Sequence, residues 1–113
     1  EKMDECIFCK IIAGEIPSDK VYEDESVIVF HDLAHRAPVH VLVVPKKHIQ
    51  STLQIEKEDS ELLSHMFEVI KTVAKQMGIA ESGYRLMINT GEDGGQTVPH
   101  LHIHILGGTK LPE

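Results

Sequence analysis

The chain has no tryptophan, three phenylalanines and two tyrosines in 113 residues. Stacking platforms for bases are therefore scarce. With 18 acidic residues against 11 basic ones, there is no cationic stripe to track a polynucleotide backbone either. Both shortages argue against nucleic acid as a partner. No apolar run is long enough to span a membrane, and no secretory signal is legible. The expected compartment is a reducing cytoplasm, where the two cysteines, Cys6 and Cys9, form no structural disulfide. Internal repeats, low-complexity tracts and linkers are missing too, so residues 1–113 read as one domain with a small core. The net charge of −7 still allows a small anionic ligand, because local backbone dipoles bind phosphate on acidic proteins.

The chain is organised around Pro99-His100-Leu101-His102-Ile103-His104-Ile105-Leu106. Successive side chains of a strand point to opposite faces, so this alternation predicts His100, His102 and His104 on one face, about 6.6 Å apart. Leu101, Ile103 and Ile105 then enter a core. The expectation is a half-buried strand with a row of titratable rings on its open side.

The other segments predict a frame for that strand. Ile7 to Ala13 has helical apolar spacing and a stop at Gly14. Lys20–Glu23 and Val27–Phe30 read as a hairpin around Asp24-Glu25-Ser26. Pro38–Pro45 is a nearly continuous apolar strand, which suggests a central place. From Glu58 to Met77, Leu62, Leu63, Met66, Phe67, Ile70, Val73, Ala74 and Met77 form one helical stripe, with Gly78 as the cap. His65 falls off that stripe and reads as a surface residue. Tyr84–Asn89 is a strand, and Thr90–Gln96 is a glycine-rich turn that delivers the chain into the histidine row. Short links between consecutive strands imply an antiparallel sheet. The expected fold is α+β, a five-stranded antiparallel sheet with one long and one short helix.

A neutral imidazole can attack phosphorus and form a covalent intermediate. His102, with a ring on either side to orient it, is the candidate nucleophile. Gly94-Gly95-Gln96-Thr97 and His104 can supply donors to an anionic transition state. No carboxylate-rich magnesium site accompanies them, which suits a metal-free mechanism. Asp32 reads equally as a solvated strand end or a hydroxyl-binding carboxylate, and His40 as a core histidine. Cys6-x-x-Cys9 fits a zinc pair, a redox pair or two buried thiols.

His100-x-His102-x-His104 followed by two apolar residues resembles the signature of the histidine triad (HIT) superfamily. The likeness extends through Ile7–Pro17, Phe30-His31-Asp32, Ala37-Pro38-Val39-His40, Val44–Ile49, Gly83-Tyr84-Arg85 and Asn89-x-Gly91-x-x-Gly94-Gly95-Gln96, all similar to the Hint branch. The resemblance implies a hydrolase that releases a purine nucleoside monophosphate from an amine or acyl leaving group through a nucleotidyl-histidine intermediate. By position, it makes His102 the nucleophile, lets His104 contact the phosphate and assist the leaving group, and makes His40 complete the cluster. It assigns the ribose to Asp32, the phosphate to Asn89, Gly95, Gln96 and Thr97, and the base pocket to Phe8, Ile11, Ile16, Phe30 and Leu33. It also implies a homodimer whose two sheets join.

Thr97 stands where serine is usual, Pro99 replaces an aromatic, and the longer tail of eukaryotic relatives is not seen after Glu113. In some bacterial members a cysteine pair binds zinc with the first triad histidine and one upstream. The matching set here is Cys6, Cys9, His48 and His100. Two other readings stay open. One is dinucleoside polyphosphate hydrolysis, as in the Fhit branch, against which His104 speaks. The other is a nucleotide- or zinc-binding adaptor with incidental hydrolysis.

Overall fold

The structure is a computed structural model and describes residues 5–113. Helix α1 (Ile7–Ile12) opens at Cys6, whose Sγ accepts the Cys9 backbone N–H at 3.4 Å. It closes at Gly14, where φ of +80° is the left-handed geometry that suits glycine. Strands β1 (Lys20–Glu23) and β2 (Val27–His31) form the expected hairpin. Its turn is fixed by Asp24 Oδ1, which accepts the backbone N–H groups of Ser26 and Val27, each at 2.9 Å. Strand β3 (Val39–Pro45) is followed by two 3₁₀ turns, Thr52–Gln54 and Lys57–Asp59. Then come helix α2 (Ser60–Gln76), strand β4 (Tyr84–Met87) and strand β5 (Ile103–Gly107).

The five strands pair antiparallel in the order β1-β2-β3-β5-β4. β3 lies in the middle, and from His40 to Pro45 it is buried throughout. A strand covered on both faces has no polar side to show, which is why its sequence hardly alternates. On one face α2 places Met66, Val69, Ile70, Val73 and Ala74 against Val27, Val29, Val41, Val43, Ile103 and Ile105. The opposite face carries Ile28, Phe30, Leu42 and Val44, covered by Phe8 from α1. Period-two alternation thus splits β2 and β3 between two cores. His104, opposite Leu42 in the β3–β5 register, belongs to the α1 face.

Several boundaries differ from expectation. β5 begins at Ile103 rather than Pro99. Pro99 has no N–H to give, and the Leu101 N–H donates to Ile49 O at 2.7 Å instead of to a neighbouring strand. α2 begins at Ser60 because Lys57–Asp59 winds as a 3₁₀ turn first. β4 ends at Met87, releasing Ile88 and Asn89 into the loop. Phe67 sits at the flank of the helix arc that meets the sheet and is 47% exposed, while Val69 takes a core place. His65 is tied down, its Nε2 lying 2.7 Å from Asp24 Oδ2.

Candidate active site

The three histidines do not face open solvent. His100, His102 and His104 are each at most 6% exposed. Helix α1 folds over them, so the row is roofed. The Phe8 ring stands edge-on to His102 and His100, with centroids 5.1 and 5.9 Å away. The rings of His102 and His104 follow each other at 5.1 Å.

Hydrogen bonds to backbone groups determine which nitrogen of each neutral ring carries its proton. A carbonyl can only accept. His102 Nδ1 lies 2.7 Å from His100 O, so Nδ1 holds the proton and Nε2 keeps a lone pair. His100 Nε2 lies 2.8 Å from Pro45 O, which leaves its Nδ1 lone pair free to ligate. The Arg36 backbone N–H donates to His40 Nδ1 at 3.1 Å, so the His40 proton sits on Nε2. That Nε2 faces His104 Nδ1 at 2.8 Å and Asp32 Oδ2 at 3.4 Å. His104 Nδ1 is then an acceptor, and the ring carries its own proton on Nε2.

Burial keeps these rings neutral. It is the leading cause in all four, pushing His100 and His104 down to about 4 and lowering His40 and His102. At His104 the His102 and His40 rings add to the shift, while the Asp32 carboxylate opposes it. At neutral pH the Nε2 of His102 is therefore an unprotonated nitrogen, the form in which imidazole is a nucleophile.

Two cavities meet at Phe8, Asp32 and Leu42. The larger, of about 510 Å³, has an apolar wall that includes Ile7, Phe8, Ile11, Phe30 and Leu33. Ile16, expected there, is not among its lining residues. The chain turns at Pro17, and Pro17, Ser18 and Asp19 form that side. The smaller cavity, of about 300 Å³, brings Asn89, Gly95 and Thr97 together with His102 and His104. Glycine is required in its loop. A Cβ on Gly94 would lie 2.2 Å from Thr90 O, and Gly95 has φ of +80°. Asn89 Nδ2 braces the loop by donating to Gly94 O at 2.8 Å.

Gln96 does not line that cavity. Its amide is consumed within the loop: Nε2 donates to Gln50 O and Val98 O, and Oε1 accepts from Gly91 N–H. His40 stands behind His104 and reaches the cavity only through it. The sequence reading missed Ser18, Asp19 and Arg36 as lining residues. Each sits in a polar turn that reads locally as solvated, and no motif marks it.

At the far end of the row, Cys6, Cys9, His48 and His100 converge, with all four potential ligand atoms within 4.8 Å of one another. His48 Nδ1 and His100 Nδ1 are 3.1 Å apart, Cys9 Sγ is 3.2 Å from His48 Nδ1, and Cys6 Sγ is 3.4 Å from His100 Nδ1. Ligand atoms around tetrahedral zinc stand roughly 3.3–3.8 Å apart, given bonds of about 2.0–2.3 Å. The Cys₂His₂ donor set fits such an ion in number and chemistry, and its nitrogen–nitrogen and nitrogen–sulfur spacings of 3.1, 3.2, 3.4 and 3.6 Å lie in or just below that range.

A protein-family model described as "Scavenger mRNA decapping enzyme C-term binding" matches residues 5–111. An uncharacterized HIT-like protein of Synechococcus elongatus is 52% identical over 108 residues, which cover 96% of this chain and 94% of that protein. The purine nucleoside phosphoramidase of Escherichia coli K12 is 46% identical over 108 residues, covering 96% of this chain and 91% of the enzyme. Among solved structures, a histidine triad protein from Clostridium difficile superposes with a TM-score of 0.94 at 54% identity, covering 100% of this chain and 97% of that one. A HIT family hydrolase from Legionella pneumophila gives 0.93 at 44% identity, covering 95% and 96%. The chain belongs to the histidine triad superfamily.

Proposed function

We propose that this HIT-family hydrolase cleaves purine nucleoside phosphoramidates, or acyl adenylates of the same shape, to the nucleoside monophosphate. The observation that carries the reading is the His102 Nε2 lone pair on the wall of the cavity that Asn89, Gly95 and Thr97 also line. The base occupies the larger apolar cavity, against Phe8, Ile11, Phe30 and Leu33. Asp32, at the junction of the two cavities, accepts the ribose hydroxyls. The phosphate sits in the smaller cavity, held by Asn89, Gly95 and Thr97.

His102 Nε2 attacks phosphorus, and the bond from phosphorus to the leaving nitrogen breaks. The His104 Nε2–H donates to the phosphoryl oxygen and to the departing nitrogen, assisting its protonation. His40 keeps His104 in that tautomer. Water then attacks the nucleotidyl-His102 intermediate. In the overall balance one water is consumed: its hydroxyl ends on phosphorus and its proton on the amine. Burial under Phe8 excludes bulk water from the ring that makes the bond.

Cys6, Cys9, His48 and His100 would hold zinc as a structural ion, fixing the carbonyl of His100 that orients His102. Two reduced thiols at such a site suit a cytoplasmic protein. Among the described residues no helix is long and apolar enough to cross a membrane. A second copy pairs along β4, an edge strand that carries the exposed Leu86 and is followed by the exposed Ile88.

The test is turnover of an adenosine phosphoramidate by the wild type and by His102→Ala. Loss of at least about 1,000-fold in kcat is expected for removal of a nucleophile. Unchanged turnover in the variant would overturn the assignment.

A further inference from the structure

Residues 33–36 lie between β2 and β3, at the rim of the smaller cavity. Arg36 is anchored there at its root, because its backbone N–H is the donor to His40 Nδ1. Arg36 lines the cavity together with His102 and His104, and its guanidinium charge is felt at His104. The guanidinium makes no hydrogen bond or ion pair with any described residue. Its charge reaches His40 and His104 and works against their protonation, so it does nothing for a charged form of either ring.

Among the described residues the only other side chain with a full charge on this wall is Asp32, and in the proposed function it accepts the ribose hydroxyls. Its Oδ1 accepts the Ala34 N–H at 2.9 Å, and its Oδ2 lies 3.4 Å from His40 Nε2. Asp32 also lines the larger cavity, which puts it on the sugar side, whereas Arg36 lines the smaller cavity alone. At about 300 Å³ that space equals the volume of roughly ten waters, more than a phosphoryl group fills.

We infer that Arg36 reads the leaving group, and that the preferred substrate is a nucleotidyl amino acid, joined through its nitrogen, whose carboxylate pairs with this guanidinium. The inference rests on the phosphoramidase reading above. Among the described residues no second cation lines this cavity, and a single planar guanidinium matches a singly charged, planar carboxylate in a two-point hydrogen bond. A terminal phosphate would bring more charge than one arginine balances. The P–N bond cleaved is the same one, and the departing amine leaves as the free amino acid.

The experiment compares kcat/KM for the adenosine phosphoramidates of glycine and of glycinamide, which differ in that carboxylate. The wild type is expected to favour the glycine compound about tenfold, and less so at 1 M salt, roughly where the screening length falls to 3 Å. Arg36→Gln should bring the ratio to about one. Arg36→Lys, which keeps the charge without the fork, should retain part of it. A ratio that survives Arg36→Gln, or a wild type that favours glycinamide, would overturn the role of Arg36. His102→Ala is assayed alongside. Undiminished turnover of both compounds in that variant, or none by the wild type, would overturn the phosphoramidase reading and this inference together. A dead His102→Ala with a ratio indifferent to Arg36 would overturn this inference alone.

Discussion

The Nε2 of His40 stands 2.8 Å from the Nδ1 of His104, and the backbone N–H of Arg36 fixes which of the two rings donates. His104 is thereby left with its proton on Nε2. Replacing His40 by alanine leaves a buried acceptor without its donor and frees the His104 ring to change tautomer. Steady-state kinetics on His40→Ala should show kcat lowered about 10- to 100-fold with KM moved far less. An unchanged kcat would mean that His40 is only a core residue.

Acid should destabilise the fold through the same rings. In the unfolded chain His100 and His104 take up protons near the ordinary value of 6.5, but the native protein holds both down to about 4. Between those limits the unfolded state binds more protons, so stability falls as the pH drops. The slope is at most about 1.4 kcal/mol per pH unit for each ring, and it fades as the pH rises past 6.5 toward about 8, where the unfolded rings are neutral as well. Denaturant melts of metal-free protein at pH 7.5 and pH 5 measure it. Equal midpoints would contradict the burial account.

Asp24 offers a control far from the chemistry. Burial by itself would raise its pKa, but the Tyr22 hydroxyl, the backbone of Ser26, His65 and the backbone of Val27 outweigh it and hold the carboxyl well below the usual range. It joins the β1–β2 turn to helix α2. Asp24→Ala should lower stability by about 1–3 kcal/mol, since it strands several donors, and leave phosphoramidate turnover as it was. A melt and an assay on the same sample decide.

If Cys6, Cys9, His48 and His100 hold zinc, elemental analysis of protein purified without chelator should give one zinc per chain. Cys6→Ser should lose most of it and melt several degrees lower, because binding to the folded state alone stabilises that state. Wild-type protein free of zinc would remove the metal from the account.

How much of this was legible in the sequence depends on range. The alternation of His100, His102 and His104 fixes one shared face, and the apolar run of β3 marks the sheet centre, because both signals are local. The Cys6-x-x-Cys9 pair was legible as a metal candidate by its spacing, but His48 and His100 as its companions only through resemblance, since tertiary contact brings them together. That the rings are roofed was not legible, because it depends on Phe8 reaching across from α1 to residues more than ninety positions away. Gln96 carries no local sign that its amide turns inward to Gln50 and Val98. Arg36 reads as one more charge in a turn until the fold places it beside His104.

The nucleophile can be caught directly. The wild type is mixed with excess adenosine phosphoramidate, quenched in acid within the first turnover, and its intact mass and peptides are read. The account predicts amine released ahead of monophosphate, with an adenylyl group on His102. Amine and monophosphate appearing together with no adduct, or an adduct on another residue, would contradict it.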